Sequence, residues 1–213
     1  MKLAIISDIH GNLPALERCL SILKKEKIDY FFVLGDVVNY GPWGNECVDL
    51  IESIPNTYKI IGNHENYFLN KKIKTNNDLV KNFFNITFSN FDRFDIIKNY
   101  KKKVIFKGIK FIHTINNKYI YSDTKVDIKE NTVLGHSHEQ YFKKINNFWI
   151  LNPGSLGQNR KAINIMQFAL FNIDKLRVKF FSEKYDFRKL INKMRLDGYP
   201  KKCIDYYTSR IKK

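Results

Sequence analysis

The chain has 213 residues, 44% of them hydrophobic and 27% charged, a length that suits one domain and a composition without long disorder. No apolar run approaches the roughly 18–20 residues of a membrane span. The amino-terminal run meets Asp8 and His10 too early to be a signal peptide, so a soluble, cytoplasmic protein with no membrane partner is expected. Thirty-seven Lys and Arg against 21 Asp and Glu leave a net charge of +16. The excess is mostly Lys in short runs such as Lys101–Lys103, with no Arg-rich stripe and no RNA-binding aromatic pattern. Solvated faces and loops are the first reading and steering of an anionic substrate the second, and nucleic acid is not the favoured partner. Cys19, Cys47 and Cys203 lack metal-type spacing and read as reduced thiols in or near the core.

In chain order, Lys2–Ser7 reads as a buried strand. Asn12 offers a helix cap, with Pro14 in the first turn and Leu16, Leu20 and Leu23 on one face, a helix to about Lys27. Tyr30–Leu34 is a second strand, Asn45–Ser53 a second helix and Tyr58–Ile61 a third strand. This β-α-β-α-β rhythm is that of a parallel sheet with helices on its faces. Asn76–Phe91 is an amphipathic helix. Val104–Phe106 and Lys110–Ile115 form a hairpin around Lys107-Gly108, and Asn131–Leu134 is a short strand. Tyr141–Ile145 and Phe148–Leu151 are joined by the turn Asn146-Asn147. Alternating strands over Ile163–Asn172 and Arg177–Ser182 precede a closing helix, Asp186–Leu196. The fold expected is α/β: two stacked, mixed β-sheets, a β-sandwich flanked by helices, with residues 1–213 as a single domain.

All five histidines, His10, His64, His113, His136 and His138, fall at the end of a predicted strand or in the loop after one. Open α/β sheets collect ligands there. One such His is most often a packed or surface residue. Five, beside Asp8, Asp36 and Asn63, make a coincidence hard to sustain. The ordered motifs are Asp8-Ile9-His10, Gly35-Asp36, Gly62-Asn63-His64-Glu65, His113 and Gly135-His136-Ser137-His138.

With these motifs the chain resembles the calcineurin-like metallophosphoesterase superfamily, and within it the small bacterial and archaeal phosphodiesterases. The narrower likeness rests on Ile6-Ser7-Asp8-Ile9-His10-Gly11-Asn12-Leu13-Pro14-Ala15-Leu16, on Gly35-Asp36-Val37-Val38-Asn39-Tyr40-Gly41-Pro42 and on Asn152-Pro153-Gly154-Ser155-Leu156-Gly157-Gln158. It covers residues 3 to about 182. The resemblance implies two divalent cations, Mn²⁺ first, with Fe, Zn²⁺, Ni²⁺ or Mg²⁺ as other occupants. It implies that Asp8, His10 and His138 hold one cation, that Asn63, His113 and His136 hold the other, and that Asp36 bridges them. Carboxylate, amide and imidazole ligands without thiolate agree with such metals. A hydroxide activated by two cations would attack phosphorus, and His64 would protonate the leaving oxygen or stabilise it by a hydrogen bond.

Departures from the wider superfamily bear on the substrate. Protein phosphatases and diadenosine-tetraphosphatase relatives carry an Arg in the loop where this chain has Tyr40, and protein phosphatases an Asp where it has Asn39. Arg grips a dianionic phosphate in a bidentate fork, so its loss favours a diester or nucleotide. Asn39, Tyr40 and Arg160 are candidate substrate contacts, Arg160 as a replacement clamp. After His113 the family often reads H-G-[ST]-P, whereas this chain has His113-Thr114-Ile115-Asn116. Phosphodiester hydrolysis is the expected activity. A dinucleoside-polyphosphate hydrolase or nucleotidase, a nuclease, and a non-catalytic scaffold on the same fold are the other readings.

Overall fold

The computed structural model describes residues 1–212. Strand β1 (Lys2–Ile6) pairs in parallel with β2 (Tyr30–Val33), and β2 in parallel with β3 (Thr57–Lys59). Helix α1 (Leu13–Leu23) makes the first crossover. The Asn12 carboxamide accepts from the Ala15 N–H at 3.2 Å, and Pro14 occupies the first turn, where no N–H is needed. The helix stops at Leu23 because the polar run Lys24–Lys27 offers no apolar anchor to continue it. Helix α2 (Gly44–Glu52) makes the second crossover. Three further helices follow: α3 (Asn63–Leu69), α4 (Asp78–Ser89) and α5 (Phe94–Ile97).

The second sheet is built from β4 (Lys103–Phe106), β5 (Ile109–Ile112), β6 (Thr132–Val133), β7 (Gln140–Ile145) and β8 (Phe148–Pro153), in the order β4-β5-β6-β8-β7. Here β5, β6 and β8 are parallel, and the two hairpins are antiparallel. The chain then returns to the first sheet. β9 (Ile165–Asn172) pairs antiparallel with β1, and β10 (Arg177–Lys184) with β9. The second half of the chain thus contributes strands to both sheets. Both crossovers carry the chain to one side of β1, which leaves its other edge to be paired. Helices α6 (Phe187–Leu196) and α7 (Lys201–Thr208) finish the described chain.

Strand alternation explains the layers. In β1, Leu3 and Ile5 face the second sheet, where they join Phe32, Phe111, Val133, Trp149 and Leu151, while Ala4 and Ile6 face the helices. The rings of Phe32 and Phe111 stack across the interface with centroids 3.8 Å apart. Cys19, Cys47 and Cys203 are buried, free thiols. No helix among the described residues is long and apolar enough to cross a membrane. Six parallel strands, three in each sheet, thus bring their carboxyl ends towards one place.

Candidate metal centre

The loops at those strand ends are strained. Asp8, His10, Asp36, Asn39, Tyr40, His136 and His138 all have φ between 50° and 73°, left-handed backbone that costs a non-glycine residue about 1 kcal/mol or more. Hydrogen bonds between loops hold them there. Asp8 N–H donates to the Gly35 carbonyl at 3.1 Å, His10 N–H to Asp36 at 2.9 Å, and Gly157 N–H to Asp8 at 3.0 Å. Glu65, which carried no role in the sequence reading, fastens two loops with one carboxylate. It accepts from the N–H groups of Asp36 (2.8 Å), Val37 (2.7 Å), Val38 (3.2 Å) and Gly62 (2.7 Å). Burial and the Asp36 charge push its pKa up to about 7, against the pull of these donors. Gly62 is required beside it, since a Cβ there would lie 2.2 Å from the Asp36 Oδ1.

Two groups of side chains converge. In the first, His138 Nε2 lies 3.2 Å and His10 Nε2 3.9 Å from Asp8 Oδ1, and the two Nε2 atoms are 3.3 Å apart. In the second, His113 Nε2 lies 3.2 Å from Asp36 Oδ2, 3.1 Å from Asn63 Oδ1 and 3.1 Å from His136 Nδ1. Asp36 joins the groups. Its Oδ1 accepts the His64 N–H at 2.9 Å, while Oδ2 stands 4.0 Å from His10 Nε2 and 3.8 Å from His64 Nε2.

The hydrogen-bond chemistry of these groups is that of side chains able to hold cations. His10 Nδ1 contacts the Val38 carbonyl (3.3 Å), His138 Nδ1 that of Gln158 (2.6 Å) and His113 Nδ1 that of Leu34 (2.7 Å). A carbonyl only accepts, so each neutral ring carries its hydrogen on Nδ1 and turns a lone pair inward from Nε2. In the first group, three acceptor atoms then face one another, and Asp8 Oδ1 is buried with no hydrogen-bond partner. In the second, an amide oxygen, a carboxylate oxygen and the His136 Nδ1 surround the inward nitrogen of His113. Acceptors meet like this around a cation and otherwise repel. Burial opposes charge on His113, yet the neighbouring Asp36 carboxylate outweighs it and lifts the imidazole to about 10, so that without a cation a proton on Nε2 takes the place of one beside Asp36. Burial, reinforced by His113, pushes His136 down to about 4.

The remaining sequence candidates divide. His64 is buried behind Asp36 with its ring edge-on to His10. Its Nδ1 lies 2.7 Å from Asn39 Nδ2. The amide orientation is set by its other end, where Asn39 Oδ1 accepts from the Tyr40 N–H (2.7 Å) and the Thr87 hydroxyl (3.0 Å). Asn39 was expected at the substrate. It is fully buried and its amide is committed, which places it behind His64. Tyr40 is half-buried, edge-on to both His10 and His64, and rests on Phe83. Arg160 is exposed, its guanidinium 5.0 Å from the ring centre of Tyr119, a residue the sequence reading passed over.

Stacked mixed sheets whose parallel strands deliver four histidines, two aspartates and an asparagine to one buried cluster define the class of the metal-dependent phosphoesterases. The model of the calcineurin-like phosphoesterase superfamily domain matches residues 1–176, and the chain belongs to that superfamily. It is 31% identical over 223 aligned positions to an uncharacterized protein of Methanocaldococcus jannaschii, MJ0912, covering 90% of this chain and 91% of that one. It is 24% identical to the phosphodiesterase MJ0936 of the same organism, over 72% of this chain and 83% of the relative. A metallophosphoesterase from Sphaerobacter thermophilus shares the fold, with a TM-score of 0.80 at 23% identity over 99% of this chain and 100% of that one. The chain is therefore a hydrolase acting on phosphate esters, from a metal-dependent family, with His and Asp groups able to bind metal.

Proposed function

We propose that the chain is a phosphodiesterase with a two-cation centre. The observation that carries the reading is the pair of clusters, Asp8–His10–His138 and Asp36–His113–His136, linked where Asp36 Oδ2 stands 4.0 Å from His10 Nε2. Asp8, His10 and His138 would hold one cation and Asn63, His113 and His136 the other, with Asp36 shared between them. The oxygen and nitrogen donors suit Mn²⁺, with Fe, Zn²⁺, Ni²⁺ and Mg²⁺ as competitors. When bound, the cations polarise the phosphoryl oxygens and lower the pKa of water from about 15.7 towards ~7, which makes a nucleophile available near neutral pH.

The chain's own groups then divide the work. Asn63 is a neutral ligand, so two carboxylates face two divalent cations and the centre keeps a net positive charge for an anionic ester. Asn39 gives a hydrogen to His64 Nδ1, which leaves the ring's N–H on Nε2, the atom on the side of Asp36. His64 is thus set to donate a hydrogen bond to a phosphate or leaving-group oxygen as charge grows there, the form of catalysis a fixed donor provides. Tyr40 closes the wall between His10 and His64 without adding the charge an Arg would bring. That favours a diester, with one negative charge, over a dianionic monoester.

The test is metal loading followed by a substrate pair. Elemental analysis after dialysis against Mn²⁺ should give two ions per chain, and Asp36→Asn should lose both. One retained ion at normal affinity would refute the bridge. Bis-p-nitrophenyl phosphate should be cleaved faster than p-nitrophenyl phosphate, and the reverse order would overturn the diester assignment.

A further inference from the structure

The loop between β5 and β6 presents two aromatic residues that hydrolysis does not use. Tyr119 and Tyr121 are 47% and 37% exposed. Their rings are nearly parallel, 19° apart in plane with centroids 6.2 Å apart. Tyr119 also lies flat on the His136 imidazole, 8° from parallel at 4.3 Å. His136 Nδ1 is in turn 3.1 Å from His113 Nε2, inside the cation cluster. An aromatic strip therefore runs from the metal centre out to solvent, with the Arg160 guanidinium against Tyr119.

Two cavities meet the strip. One, of about 520 Å³, has Tyr119 and His136 in its wall together with Asn66 and Asn117. The other, about 670 Å³, has Tyr121, His138 and Arg160 in its wall, together with Lys161. Each is large enough for a small organic ligand, whose sites span about 300–1,000 Å³. The amides can meet the edge of a base, and Arg160 and Lys161 can meet further negative charge.

We propose that the exposed parts of Tyr119 and Tyr121, with the solvent-facing Arg160 side chain able to move aside onto the base, form a stacking platform for a nucleobase, so that the ester cleaved at this centre is a nucleotide. The proposal rests on the phosphodiesterase reading and names its substrate class. Exposed, near-parallel rings beside a reactive centre suit any base, because every base has a π-face. Arg160 adds a cation to the stack. An aliphatic diester would leave the strip uncovered.

The test uses binding, so it does not depend on turnover. The Mn²⁺-loaded full chain is titrated by calorimetry with the methyl esters of the non-hydrolysable methylene phosphonate analogues of AMP and of ribose 5-phosphate, and with that of benzylphosphonate, each a singly charged diester mimic. The base should improve affinity by about 10–100-fold, the range for one stacked base. Tyr119→Ala should remove that advantage and leave the ribose analogue within about twofold, while Tyr119→Phe keeps the advantage. Tyr121→Ala, further from His136, should lower the adenosine analogue alone. Elemental analysis of each variant checks that the cations remain. Equal affinity for the adenosine and ribose analogues, or no binding of the adenosine analogue, overturns the platform. The benzylphosphonate ester binding as tightly as the adenosine analogue makes it a general aryl site and overturns the nucleotide assignment. Tight adenosine binding by a protein that cleaves no diester would instead sink the hydrolytic reading and leave the platform standing.

Discussion

The Asn39 carboxamide donates to His64 Nδ1 at 2.7 Å and takes hydrogens from Tyr40 and Thr87 at its other end. A ring held this way keeps its hydrogen on Nε2 and acts as a hydrogen-bond donor. His64→Ala should leave the metal content intact and lower kcat by about 10²–10³, the loss seen when one such donor is removed. The loss should be alike for p-nitrophenyl and alkyl leaving groups. A much larger loss for the alkyl ester would make His64 a proton donor, and loss of metal would make it a ligand. Asn39→Gly separates position from chemistry. Its φ of 73° suits glycine, so relief of strain offsets lost hydrogen bonds, and stability should change by less than about 1 kcal/mol. Its kcat should still fall, and by a factor that vanishes in a His64→Ala background. Additive losses in that double-mutant cycle would show that Asn39 acts independently of His64.

At the scale of elements, the face each strand turns to the second sheet decides its energetic weight. Phe111 in β5 is fully buried against Phe32, with ring centroids 3.8 Å apart. Phe111→Ala should destabilise the protein by about 3–5 kcal/mol, the cost of an unfilled aromatic site. Its neighbour Lys110 points away and pairs with Glu130 at 3.0 Å, both side chains partly exposed. Lys110→Ala should cost less than about 1 kcal/mol, as exposed ion pairs do. Urea denaturation of the two variants tests the register, and similar costs would say that β5 is turned over. Helices α3 and α5 escaped the sequence reading because seven and four residues are too few to show a helical period. Helix α7 escaped because its buried face reduces to Cys203 and Tyr207.

Across the whole molecule, the proposed metal centre would also act as a clasp. Asp8, His10, Asp36 and Asn63 follow strands of the first sheet, whereas His113, His136 and His138 follow strands of the second. Without cations the acceptors around the partnerless Asp8 Oδ1 face one another, so chelation should loosen the contact between the sheets. Two ions, each present at about 100 times its dissociation constant, would contribute about 5 kcal/mol together. For a chain of this size that is a fall in Tm of about 10–20 °C on adding EDTA, measured by scanning calorimetry. Asp36→Asn should start low and respond little to EDTA. An unchanged Tm in the wild type would show that the clusters hold no structural charge.

The strand rhythm, both crossover helices and the seven converging side chains were legible in the sequence, because alternation and motif order are local properties. Each of those residues lies where its strand end would put it. The destination of β9 and β10 was not legible: alternation shows that a strand has a buried face, but the free edge of β1 determines which sheet receives it. Nor was the work of Asn39 and Glu65. An amide or a carboxylate in a loop has no partners until the fold brings a ring nitrogen or four backbone N–H groups to it. Tyr119 was silent for the same reason. Its sequence neighbours carry no periodic pattern, and only the tertiary structure lays its ring on His136.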